Sequence, residues 1–185
     1  MGNAETLSTG WKPGDRKLDL KSMLRVDHAG EYGATRIYAG QLAVLRPSSP
    51  AAHLVAHMAS QEERHLARFN QLLTERRVRP TLLQPLWHVG GFALGAVTAL
   101  ISEKAAMACT DAVETEIDRH YEEQLQELGD RDPELAADIR QFQADELEHR
   151  DTAREHGAME APAYPLMHAA IRGICKVAIE VSKRI

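Results

Sequence analysis

Apolar residues return at helical spacing through four long stretches of the chain. They fall at Leu20, Leu24, Ala34, Tyr38 and Leu45; at Val55, Met58, Phe69 and Leu72; at Met107, Ile117, Tyr121 and Leu128; and at Leu135, Ile139, Phe142 and Ala153. A three-and-four repeat of this kind predicts amphipathic helices that each bury one stripe. Cap chemistry marks their ends. The first helix, from about Leu18 to Leu45, stops at "RPSSP", where Ser49 can cap the next helix and Pro50 suits its first position. The second runs to about Arg77, and the third from about Ser102 to Leu128, ending at Gly129. Asp132, Pro133 and Glu134 then open a fourth helix that reaches about Glu155, with Gly157 as its stop.

The first and third connections are short, which makes each flanking pair of helices an antiparallel hairpin. The second connection, residues 80–102, contains no Asp, Glu, Lys or Arg. This short-long-short order predicts an all-α, ferritin-like four-helix bundle with one long apolar crossover between its second and third helices. At 185 residues the expectation is one domain, residues 18–185, behind a flexible N-terminal arm, residues 1–17. The arm lacks the apolar core of a secretory signal and the Arg/Ser richness of a transit peptide.

Each apolar stripe is interrupted where it is expected to be driest. Glu62 and His65 stand in the second stripe and Glu146 and His149 in the fourth, while Glu31 interrupts the first and Glu114 the third. Two Glu-x-x-His motifs alone mean little, because a chain with 9 His and many Glu yields on the order of one by chance. Their placement means more. Aligning Glu31 with Glu114 also pairs Arg36 with Arg119, Tyr38 with Tyr121, Gln41 with Gln124 and Leu45 with Leu128, the mark of a duplicated helical hairpin.

One Glu from each of two helices and a Glu-x-x-His from each of the other two form the ligand set of di-iron or di-manganese carboxylate bundles. Residues three apart on a helix lie roughly 5–6 Å apart at Cβ, within reach of one metal cluster. Buried carboxylates without counter-charge cost several kcal/mol each, and four glutamates balance two divalent cations. Imidazole with carboxylate suits iron or manganese. Asp145, beside Glu146, is placed to accept the remaining N–H of His65 across the bundle. Tyr38 and Tyr121 lie on the ligand face, either bonded to ligands or as ordinary core tyrosines. Asp27 also lies on that face, and Gly30 and Gly33 beside Glu31 suggest close approach by a helix or a substrate.

Composition narrows the function. A formal charge of -5 and the absence of basic runs exclude a nucleic-acid binder. Cys109 and Cys175 form no Cys-x-x-Cys, so neither a disulfide framework nor a thiolate zinc site is indicated, and a reducing compartment fits. The 80–102 run is long enough to span a bilayer, but Pro80, Pro85, Gly90, Gly91 and Gly95 argue for packing on the bundle or dipping into a membrane surface. The C-terminal segment predicts an additional amphipathic helix, with Ile171, Ile174, Cys175, Ala178 and Val181 on one side and Arg172, Lys176 and Lys183 on another. It suits a membrane surface, a partner or the core. Together these segments point to a lipid-like substrate. An iron-storage or peroxide-handling protein and a metal-free scaffold are the competing readings.

The stretches "RVDHAGEYGATRIYAGQ", "QEERH", "RVRPT", "FALGA", "AMACTDAVE" and "DELEH" resemble the demethoxyubiquinone hydroxylases of ubiquinone biosynthesis, over about residues 20–185. The resemblance implies a di-iron monooxygenase that hydroxylates the benzoquinone ring of a polyprenylated intermediate, using dioxygen and reducing equivalents from NADH. It assigns Glu31 and His65 to one iron, Glu114 and His149 to the other, and Glu62 and Glu146 to both. It places His120 and Tyr121 near the substrate. It further implies a peripheral membrane location, on the cytoplasmic face of a bacterial inner membrane or the matrix face of the mitochondrial one. A lipid-binding partner protein belongs to the same picture, and a homo-oligomer is left open.

Overall fold

The computed structural model describes residues 19–184; the expected arm, residues 1–17, lies outside the described residues. The described residues form six α-helices and one 3-10 turn, with no strand among them. The helices are α1 (Leu20–Val44), α2 (Pro50–Glu75), α3 (Gln84–Ile101), α4 (Glu103–Leu128), α5 (Pro133–Glu155) and α6 (Tyr164–Ser182), with the turn at Ala158–Glu160. Local chemistry sets the ends. Ser49 accepts from the Ala52 N–H, Ser102 from Ala105 and Asp132 from Leu135, and Pro50 and Pro133 open their helices. Such caps contribute about 1 kcal/mol each. Gly157, at φ 87°, ends the run after α5 in the left-handed region that glycine tolerates.

The expected stripes are the buried ones. Val55, Met58, Glu62, His65, Phe69 and Leu72 of α2 are buried, as are Leu135, Ile139, Phe142, Glu146, His149 and Ala153 of α5. α1 packs on α2 and α4 on α5, and the two hairpins meet around the polar side chains. Hydrophobic clusters cap that layer at both ends, one including Tyr38, Val55, Met58 and Met107, the other Leu24, Phe69, Tyr121 and Phe142.

The charge-free 80–102 run is itself a helix, α3, laid along α1. A Cβ at Gly95 would collide with the Ile37 carbonyl oxygen, and one at Gly40 with that of Phe92, so these glycines set the close approach. None of the described helices is long and apolar enough to cross a membrane.

α6, left open between surface and core, packs on α4 and α1. Arg172 turns inward, with Nε and Nη2 each 3.2 Å from Glu116 Oε2, whereas Lys176 stays exposed with its Nζ 3.9 Å from the same atom. Tyr164 donates to Asp111 at 2.5 Å, and Arg154 from α5 reaches the same carboxylate at 2.8 Å. Both carboxylates are fully buried in α4, whose residues 105–114 are buried without exception because α3, α5 and α6 surround that stretch. A buried carboxylate demands counter-charge: Arg154 of α5 supplies it at Asp111, and at Glu116 Arg119 of α4 shares the task with α6. Its apolar residues therefore divide: Ile171 joins the core, whereas Ile174 and Val177 remain exposed.

Candidate metal centre

Four helices deliver Glu31 (α1), Glu62 and His65 (α2), Glu114 (α4), and Glu146 and His149 (α5) to one place, each no more than 2% exposed. Within the set Glu31, Glu62, His65 and Glu146, one potential ligand atom from each residue lies within 4.8 Å of the others; the same holds for Glu62, Glu114, Glu146 and His149. Glu62 and Glu146 belong to both sets. His65 Nδ1 lies 3.1 Å from Glu146 and 3.4 Å from Glu31, and His149 Nδ1 lies 3.1 Å from Glu146 and 3.2 Å from Glu62.

Hydrogen bonds from neighbouring side chains fix these groups. Tyr38 of α1 donates to Glu114 of α4 at 2.7 Å, and Tyr121 of α4 donates to Glu31 of α1, a crossed pair that reproduces the internal repeat. His65 Nε2 bonds Asp145 at 2.9 Å, and His149 Nε2 bonds Gln61 at 3.1 Å. Asp27, also buried, accepts from His120 and from Gln124.

The carboxylates are nonetheless under-satisfied. Both oxygens of Glu62, Oε2 of Glu31 and Oε2 of Glu114 are buried without a hydrogen-bond partner; the 3.2 Å approach of His149 to Glu62 lacks hydrogen-bond geometry. Burial, then the charges of neighbouring glutamates, push Glu62 and Glu114 well above the usual carboxylate range. Burial raises Glu146 against the opposing pull of His65. At His65 burial disfavours the charged form, but the hydrogen bond to Glu146 and the nearby Glu31 and Glu146 carboxylates outweigh it and lift the imidazole to about 11; His149 is lowered by burial. Orphaned carboxylate oxygens and imidazole nitrogens converging on one volume fit a pair of divalent cations, because each is a potential ligand atom.

Beside this layer lies an apolar cavity of about 390 Å³. Gly30 and Gly33, on either side of Glu31, and Val113, next to Glu114, form part of its lining, with Trp87 and Leu94 from α3 and Ile174 and Cys175 from α6. A Cβ at Gly30 or Gly33 would meet nothing within 4 Å, so no neighbouring helix explains these glycines; they border open space. A second hollow shares Leu86, Trp87, Ile174 and Ala178 with the first and continues it between α3 and α6.

The family model for "Ubiquinone biosynthesis protein COQ7" matches residues 18–182. The chain belongs to the COQ7 family. Among curated members, the chain is 57% identical over 166 residues to a 3-demethoxyubiquinol 3-hydroxylase of Rhodospirillum rubrum, covering 90% of this chain and 78% of the relative. It is 50% identical over 167 residues to the NADPH-dependent 3-demethoxyubiquinone 3-hydroxylase, mitochondrial, of Homo sapiens, covering 88% and 76%. With the 5-demethoxyubiquinone hydroxylase, mitochondrial, of Saccharomyces cerevisiae it shares 47% over 184 residues, covering 90% and 78%.

The residues expected from the sequence of this COQ7-family chain are placed as follows. The six candidate ligands converge, Asp145 faces His65, and Tyr38 faces Glu114. Tyr121 bonds Glu31 and His120 bonds Asp27, and neither is among the residues lining the apolar cavity. Gln61, Asp111 and Glu116 were not anticipated. Gln61 was available in the repeat, since it precedes Glu62 as Asp145 precedes Glu146. The other two stand in "TDAVETE", where helical spacing alone does not distinguish a buried acid from a solvated one.

Proposed function

We propose that this chain is a di-iron monooxygenase that hydroxylates the benzoquinone ring of a polyprenylated demethoxyubiquinone late in ubiquinone biosynthesis. The observation that carries the reading is the juxtaposition of the six-residue Glu/His cluster, with its orphaned carboxylate oxygens, and an apolar cavity against the α1 and α4 backbone that bears Glu31 and Glu114. The architecture is read as a ferritin-like four-helix bundle of α1, α2, α4 and α5, with α3 as its long crossover and the whole of residues 18–185 as one domain. Storage of iron has no use for such a cavity.

Glu31 and His65 would hold one iron and Glu114 and His149 the other, with Glu62 and Glu146 shared. Iron held by these residues would supply the redox chemistry and Lewis acidity for dioxygen activation. The chain's own contribution is positional. Tyr121 and Tyr38 hold Glu31 and Glu114 by their hydroxyl protons, and Asp145 and Gln61 hold the histidines by Nε2. The apolar cavity would take the quinone ring away from bulk water, and the hollow between α3 and α6 would accommodate the polyprenyl tail. His120 and Tyr121 as substrate contacts rest on the family resemblance. The reductant is a reduced nicotinamide nucleotide; the resemblance suggests NADH, whereas mammalian relatives are named NADPH-dependent.

Exposed Leu82, Val89 and Leu100 around α3, and Leu166, Ile174 and Val177 on α6, support peripheral attachment to a membrane from which the quinone enters. The same surface suits a lipid-binding partner protein or a second copy. The location would be the cytoplasmic face of a bacterial inner membrane or the mitochondrial matrix face, in keeping with relatives of both kinds.

Single turnover tests the proposal: iron-loaded protein, reduced nicotinamide, a demethoxy quinone and isotopically heavy dioxygen, with the product weighed by mass spectrometry. One heavy oxygen on the ring is the expected result. Oxygen consumption with oxidised iron and an unaltered ring would overturn the substrate assignment and favour a storage or peroxide role.

A further inference from the structure

The internal repeat matches at every candidate ligand but not at the residues behind them. Gln61 and Asp145 hold the same place in the two halves, one residue before the Glu of each Glu-x-x-His, and each reaches the histidine of the opposite hairpin. An amide oxygen and a carboxylate oxygen are both pure acceptors, so each histidine carries its proton at Nε2 when one nitrogen is free to bind metal. Both Nδ1 atoms then face the glutamates. The orientation is the same in the two halves, but the charge behind it differs.

One turn before the α1 and α4 glutamates the difference recurs in the same sense. Asp27 stands before Glu31, paired with His120 at 3.1 Å and taking a 2.7 Å bond from Gln124, whereas Thr110 stands before Glu114 and is met by Gln41 at 3.5 Å. The Glu31–His65 side thus has acids at both supporting positions, and the Glu114–His149 side has none at either. A carboxylate acceptor makes the imidazole a stronger donor to a metal than an amide does. It also favours a proton on that imidazole, but a dication gains more from each nearby negative charge than a single proton does.

We infer that the two metal positions are unequal: the Glu31–His65 side, backed by Asp145, takes a divalent cation first and more tightly, and the Glu114–His149 side, backed by Gln61, takes the second. Asp145 and Gln61 act as positioning residues that rank the sites. The inference rests on the two-metal reading above.

Equilibrium titration of the metal-free protein with Mn²⁺ tests it, with electron paramagnetic resonance distinguishing lone ions from coupled pairs. Wild type is expected to show lone ions through the first equivalent and two dissociation constants about 10–100-fold apart, the effect usual for such supporting residues. Asp145→Asn weakens the first step and leaves the second, whereas Gln61→Glu tightens the second and narrows the gap. Coupled pairs from the first addition onward would overturn the ranking, as would either substitution moving both steps together, the behaviour of equal sites that merely repel a second ion. The wild-type titration stands alone should a variant fail to fold. Absence of any saturable binding would remove the two-metal reading and the ranking with it; two equal steps would remove the ranking only.

Discussion

Replacing Glu62 by glutamine is expected to change the melting temperature in opposite directions with and without metal. Glu62 is fully buried, neither of its oxygens has a hydrogen-bond partner, and its neighbours are acids that push it toward the neutral form. Glutamine keeps the shape and removes the charge, relieving a desolvation cost of about 1–3 kcal/mol. For a chain of this size each kcal/mol moves the midpoint by about 2–4 °C, so metal-free Glu62→Gln melts about 2–12 °C above metal-free wild type. With Mn²⁺ or anaerobic Fe²⁺ the order changes. A cation at a hundred times its dissociation constant stabilises the folded state by about 2.7 kcal/mol per site, and Glu62 belongs to both candidate sets. Wild type therefore gains about 5–10 °C for each site filled, and the variant loses most of that gain. Thermal melts followed by circular dichroism, in chelator and in metal at neutral pH, read both effects. A wild-type midpoint indifferent to metal, or a variant that responds as wild type does, would refute the reasoning.

The pH dependence of the metal-free protein follows in sign. Glu62, Glu114, Glu146 and His65 all bind protons more tightly folded than unfolded, so their contribution is present at acidic pH and declines as pH rises above the ordinary glutamate value, for His65 through about 11; Asp132, lowered by Arg76, adds stability that disappears only as pH falls below its ordinary value. Chelated protein should melt highest in mildly acidic buffer, and the gain from metal should grow with pH. Gly95→Val forces α3 off the Ile37 carbonyl and costs about 1–3 kcal/mol in a denaturant titration, whereas Gly90→Ala, where a Cβ meets nothing, is neutral or stabilising. Glu116→Gln leaves Arg172 and Arg119 without their carboxylate, at about 1–3 kcal/mol, and exposes the segment before Tyr164 to limited proteolysis. Gly33→Leu fills the cavity without touching the cluster, so metal titration is unchanged while quinone turnover falls roughly 100-fold.

The four helices that carry the Glu/His cluster were legible because each has a wet face and a dry one, and only two periodicities compete for such a pattern. Ser49, Asp132 and Gly157 marked ends that the structure keeps within two residues. α3 was not legible as a helix: a run without charges has no polar face to oppose an apolar one, and its glycines read as breaks although they are the contact surface with α1. α6 was legible as amphipathic, but the choice between surface and core was not. The usual expectation that Arg and Lys seek water fails at Arg172 because Glu116, buried among the alanines of α4, draws it inward, and nothing in the local pattern of α4 announces that burial.

The inward turn of α6 bears on how the molecule would meet a lipid surface. Arg172 and Lys176 are the only Lys or Arg residues within α6, and both are directed at Glu116. With Arg172 drawn in and Lys176 half exposed, what the helix offers outward is mainly oily. Attachment through this face would respond weakly to ionic strength and to the proportion of acidic lipid in vesicles, and strongly to how easily acyl chains part. Packing defects and curvature, not headgroup charge, would then govern when the quinone hollow is in contact with a bilayer.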